Sequence, residues 1–132
     1  MTDQAQKSIR TPLSRVRYLG SAHNGTGHFW HQRLTAVANV PLTIAAIVII
    51  VSILGRNHAA VVQILGSTFV ALTLLLFVVS SVYHMWLGMQ VIIEDYVHDE
   101  IAKLVSLMAN TFFSFAVGLA AVFAILKLSF GL

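Results

Sequence analysis

Three long apolar runs decide most of what this chain can become. Residues 35–54, 59–93 and 104–126 contain no Asp, Glu, Lys or Arg. About 20 apolar residues in a helix span the hydrocarbon core of a bilayer. We therefore expect an all-α integral membrane protein with three transmembrane helices, at about 35–54, 60–93 and 104–126. The middle run exceeds one hydrocarbon thickness, so its helix must tilt or project from the membrane. Pro41 lies early in the first helix, where it is tolerated, and a kink is expected only if it sits deeper. Gly55-Arg56-Asn57-His58 reads as a short polar turn.

Composition agrees with this reading. Of 132 residues, 58% are hydrophobic and 10% charged, far from the balance of a soluble domain. There is no cysteine, which excludes disulfides, thiolate ligands and an iron–sulfur cluster held by this chain alone. The chain divides into a polar tail and interfacial segment, 1–33, and a membrane domain, 34–132. The first apolar run begins too late for a standard signal peptide, so it is expected to remain as an anchor. His28-Phe29-Trp30-His31-Gln32-Arg33 mixes aromatics with a cation, as membrane interfaces often do.

The net charge of +3 reads as a topology signal, and no nucleic-acid partner is expected. Three spans place the termini on opposite sides. With the N-terminus inside, that side carries Lys7, Arg10, Arg15, Arg17, Arg33 and Lys103, against Arg56 and Lys127 outside. The positive-inside rule selects N-in/C-out. The loop carrying Asp95 and Tyr96 then faces the cytoplasm, or the matrix of an organelle. Small residues such as Gly66, Ser80, Gly88 and Gly118 permit close helix contacts. Three helices leave little else to surround a cofactor, so packing with a sister membrane subunit is expected.

His84 is the residue that asks for a function. An ionisable group inside an apolar run is costly and marks a site by default. At about 100° per residue, Phe77, Ser80, His84, Gly88 and Asp95 form one stripe. If the helix continues that far, Asp95 lies about 16 Å from His84 along the axis. Imidazole is a standard axial ligand of haem iron, and Gly88, one turn on, offers clearance for a flat macrocycle. The stripe suits a haem below an interfacial quinone pocket. Ser80 is a local candidate to orient the ring through its other nitrogen. The Arg33 guanidinium suits a haem propionate. From periodicity alone, His84 is equally a polar residue that glues helices. Arg33 and Tyr96 taken singly read as interfacial anchors, and Glu94, Asp99 and Glu100 as a solvated loop. His28 and His31 are secondary candidates near a headgroup or propionate, and the histidines show no metal-ligand spacing.

Three segments together carry a resemblance. Arg33-Leu34-Thr35-Ala36 enters the first helix, His84-Met85-Trp86-Leu87-Gly88-Met89-Gln90-Val91 lies near the end of the second, and Asp95-Tyr96-Val97 follows it. From about Gly25 onward the chain resembles the hydrophobic membrane anchor subunits of succinate dehydrogenase, the D subunits of respiratory complex II. The resemblance implies that His84 is an axial ligand of haem b, opposite a histidine of a sister cytochrome b subunit. It implies that Tyr96 hydrogen bonds a quinone, ubiquinone or menaquinone, and that Asp95 belongs to the quinone pocket and its proton supply. It implies that Arg33 lies near the haem propionates. A flavoprotein and an iron–sulfur subunit docked on the inner face would supply the electrons. On this reading the chain is a non-autonomous subunit with no succinate-oxidising site of its own. It would lie in a bacterial cytoplasmic membrane or the mitochondrial inner membrane. Two other readings stand beside it: an anchor of quinol:fumarate reductase, and a non-redox structural helix bundle.

Overall fold

A computed structural model of the protein describes Thr11 and residues 25–131. Most of the N-terminal tail therefore lies outside the described residues. The rest is helical: α1 (Gly25–Ile53), α2 (His58–Leu65), α3 (Thr68–Tyr96) and α4 (Glu100–Phe130). Three of these, α1, α3 and α4, are long and apolar enough to cross a membrane. At 29 residues, α3 is about 43 Å long, well beyond a hydrocarbon core of about 30 Å.

The helices run past the limits read from the sequence: α3 continues to Tyr96, taking in Glu94 and Asp95, and α4 begins at Glu100 and ends at Phe130. Two further differences have a local reason. The segment 28–33, expected at the interface ahead of the first span, forms the opening turns of α1. Its side chains pack on the last turns of α3, and that contact holds the helix beyond the apolar run. The second run is two helices rather than one. Asn57 caps α2 by accepting a hydrogen bond from the Ala60 N–H at 2.9 Å. The chain then turns at Gly66, where a Cβ would stand 2.9 Å from the Val62 carbonyl oxygen and 3.2 Å from that of Leu128. Only glycine permits this approach to the end of α4. Pro41 lies inside α1 without ending it.

The polar turns are built for their places. Gly55 has φ 71°, the left-handed conformation that closes α1. Arg56 Nε donates to the Ser52 carbonyl at 2.6 Å, covering one of the acceptors left open there. Asp99, read from sequence as solvated loop, caps α4 by accepting from the Ala102 N–H at 2.7 Å.

The long helices form a row rather than a closed triangle. α3 packs antiparallel against α1 on one side and α4 on the other, and among the described residues the backbones of α1 and α4 do not approach each other closely. A row has two open faces. Accordingly Ala46, Ala71, Leu87 and Ile93 are the buried apolar residues among those described, while large side chains such as Phe69, Phe112 and Phe115 are exposed. In water such a surface would aggregate. It suits lipid tails, which are as apolar as the side chains themselves.

Candidate functional site

The site grows out of the line where α1 meets α3. On α1, His28, Gln32, Thr35 and Asn39 recur at intervals of four, three and four residues, one stripe on a helix. On α3 the facing stripe is Ser81, His84, Gly88 and, further on, Asp95. Antiparallel packing brings the two stripes together in register. His28 Nε2 lies 3.3 Å from the Gln90 side-chain oxygen. His31 Nδ1 hydrogen bonds the Tyr83 hydroxyl, and the Tyr83 ring stacks on Trp86 at 5.7 Å between centroids. Thr35 Oγ1 lies 3.0 Å from His84 Nδ1. Ser81 Oγ donates to Asn39 Oδ1 at 3.5 Å.

His84 is thus half-buried and held through one ring nitrogen, and Nε2 has no partner among the described residues. The partner differs from the sequence expectation. Thr35, on the neighbouring helix, contacts the ring nitrogen, whereas Ser80 Oγ is buried without a hydrogen-bond partner among the described residues. Gly88 also acts differently. Its open side is taken by Gln32, whose amide nitrogen would lie 3.4 Å from an added Cβ. A Cβ there would make only ordinary contact, so α1 seats on α3 beside His84 without depending on the glycine. The Gln32 side-chain oxygen is likewise buried without a partner.

The remaining sequence candidates spread along the same end of the row. α3 continues through Asp95 to Tyr96, so Asp95 stays in helical register with His84, about 16 Å further along. Both residues are exposed, Tyr96 to 77%. Arg33 is exposed on α1, about 200° around the helix from Thr35. Its guanidinium carbon lies 5.1 Å from the Phe29 ring centroid, a cation–π contact. His28 and His31 are occupied in cross-helix contacts with α3. Among the described residues no three His, Cys, Asp or Glu side chains converge on a point that could hold a metal ion.

A groove of about 450 Å³ runs between α3 and α4, lined by Val78, Val82, Tyr83, Trp86, Ser114 and Phe115 among others. It is apolar and contains none of His84, Asp95 and Tyr96. This groove and the polar stripe are therefore on different seams of the molecule.

The donor set fits a haem in one specific respect. A single imidazole in a membrane-length helix, anchored at Nδ1 and with Nε2 unpartnered among the described residues, could hold a haem iron. Sequence reasoning found His84 but missed Thr35, Gln32 and Asn39, although the four–three–four spacing of polar residues in an apolar helix was there to be read.

The chain matches the family described as succinate dehydrogenase/fumarate reductase transmembrane subunit over residues 7–125. It is 31% identical to the succinate dehydrogenase hydrophobic membrane anchor subunit of Paracoccus denitrificans, covering 92% of this chain and 93% of the relative. It is 30% identical to the subunit of the same description from Rickettsia bellii, over 67% of this chain and 71% of the relative. The succinate dehydrogenase membrane anchor subunit of Reclinomonas americana is 31% identical over 64% of this chain and 72% of its own length. No solved structure matches the chain.

Proposed function

We propose, for a chain that belongs to the succinate dehydrogenase/fumarate reductase transmembrane subunit family, that it anchors a succinate:quinone oxidoreductase, shares a haem b with a sister subunit and contributes to the quinone site. The observation that carries the haem reading is His84 itself: a half-buried imidazole in a membrane-length helix, held at Nδ1, with Nε2 unpartnered among the described residues. His84 would hold the haem iron from this chain, with a sister cytochrome b subunit holding it from its own side. Bound haem supplies a one-electron carrier at that depth. Arg33 would meet a propionate by charge, from the same end of the row as Tyr96, although its guanidinium rests on Phe29 and it leaves α1 away from the α3 seam.

Reduction of a quinone takes two electrons and two protons. Tyr96 is exposed at the last turn of α3, where its phenol can donate to a quinone oxygen and stabilise the negative charge that develops there. Asp95, exposed beside it, can exchange protons with solvent. The electrons come from outside the chain, which has no cysteine to hold a cluster. A flavoprotein and an iron–sulfur subunit docked at this end would deliver them. The excess of basic residues on the N-terminal side supports a cytoplasmic or matrix position for that end. The family spans succinate oxidation and fumarate reduction, and the direction follows from potentials and quinone type.

The cross-helix bond from His84 is also what a purely structural histidine would make, so the test is spectroscopic. His84→Ala in the intact complex is expected to remove the bis-histidine haem spectrum or release the haem. An unchanged spectrum rejects the ligand assignment and leaves the helix-gluing role. Tyr96→Phe is expected to slow quinone reduction at least tenfold while electron transfer from succinate to an artificial acceptor persists, the loss associated with one oxyanion-type donor being about 10²-fold or more. Equal loss of both activities would point to defective assembly instead.

A further inference from the structure

We infer that Thr35 is a positioning residue for His84: its hydroxyl holds the imidazole as the Nδ1–H tautomer and so leaves Nε2 with its lone pair directed to a ligand. This rests on the haem reading above and deepens it.

The argument is a count of protons. Thr35 Oγ1 lies 2.8 Å from the His31 carbonyl oxygen and 3.1 Å from that of Gln32. Both carbonyls can only accept, and a hydroxyl has one proton to give. That proton is therefore committed to the backbone of α1, the usual back-bond of a helical threonine. Toward His84 Nδ1, at 3.0 Å, Thr35 can present only a lone pair. The hydrogen bond exists only if Nδ1 carries the proton. A neutral imidazole with its proton on Nδ1 has a bare Nε2, the nitrogen that can bind iron. The opposite tautomer would set two lone pairs against each other across the seam and block Nε2 with a proton.

The local packing keeps this geometry in place. One turn along, Gln32 lies against Gly88, so α1 cannot drift from α3 without leaving a void. The back-bond to the carbonyls of the preceding turn restrains the threonine side chain. Accepting from Nδ1–H also makes the ring a stronger donor at Nε2. A stronger donor favours the ferric state, so loss of the bond should raise the haem midpoint potential.

The test uses the intact complex purified from membranes, with haem retention on dilution, midpoint potential and low-spin signature as readouts. Thr35→Val keeps the shape and removes the lone pair. It is expected to weaken haem retention about 10–100-fold, the range for loss of such an orienting partner, and to shift the potential upward. Thr35→Ser should restore both. Ser81→Ala, which removes the neighbouring contact to Asn39 without touching His84, should change neither. Thr35→Ala, which cannot overfill the seam, replaces the valine variant if that one does not assemble. Unchanged retention and potential in Thr35→Val, with a haem signal that still requires His84, overturns the inference and leaves the ligand assignment standing. Failure of Thr35→Ser to rescue, or equal loss in Ser81→Ala, assigns Thr35 to packing and also overturns it. A haem signal that survives His84→Ala rejects the ligand assignment and the inference together.

Discussion

The two seams of α3 are closed by different chemistry. Against α4, polar groups are few and matched mainly to one another and to backbone. The Asn110 side-chain nitrogen donates to the Trp86 carbonyl at 3.0 Å, the Trp86 indole N–H donates to Thr111 at 3.2 Å, and Gly118 admits Val82. Against α1, the contacts run through His28, His31 and His84, and the Gln32 side-chain oxygen is left buried without a partner among the described residues, as is Ser80 Oγ on the His84 stripe. Unmatched polar atoms are costly in an apolar interior. A seam whose only task was to join helices would be expected to resemble the α3–α4 side. The difference sets a seam closed mainly by packing against one lined with imidazoles and unmatched polar atoms, on the two flanks of one helix.

Three substitutions can break or sharpen that contrast. Gly118→Leu should have the largest effect on stability. An ideal Cβ at Gly118 already stands 3.3 Å from Val82 Cγ1, and the rest of a leucine has no room without moving α4. We expect a loss of about 1–3 kcal/mol, read as a lower midpoint of thermal unfolding in detergent. A midpoint unchanged from the parent would mean that α3 and α4 are not held by close approach. Asn110→Ala should cost about 1 kcal/mol, in the range measured for hydrogen bonds between membrane helices. If its cost matches that of Gly118→Leu, the α3–α4 seam is polar in its energetics after all. Gly88→Ala should have the smallest effect, within about 0.5 kcal/mol. Its Cβ would make ordinary contact with the end of a flexible Gln32 side chain, and alanine favours the helix by up to about 1 kcal/mol. A larger loss would show that the α1–α3 seam is as tightly packed as the other.

Much of the fold was legible in the apolar runs, because helix length follows from how many residues cross a hydrocarbon layer. The break at Gly66 and Ser67 was not, since both residues sit within an uncharged stretch and the turn depends on the approach of Leu128 from α4. The site was legible in part. His84 announced itself as an ionisable residue among apolar ones, and its register with Asp95 follows from helical geometry once α3 is continuous. The orienting partner was sought four residues away on the same helix, at Ser80, because sequence reasoning sees local neighbours first. The observed partner, Thr35, is 49 residues away.

The amino-acid sequence by itself determined that the chain would cross a membrane three times and carry one histidine deep in its middle span. Those properties depend on hydrophobicity and on the fixed rise and turn of a helix, and both are local. Only the tertiary structure decided that the helices stand in a row, that Gln32 of α1 seats against Gly88, and that His84 is held by Thr35 at Nδ1. Those properties depend on which face of one helix meets which face of another. In an apolar medium that choice is made by close packing and hydrogen bonding, which periodicity along one chain segment does not specify.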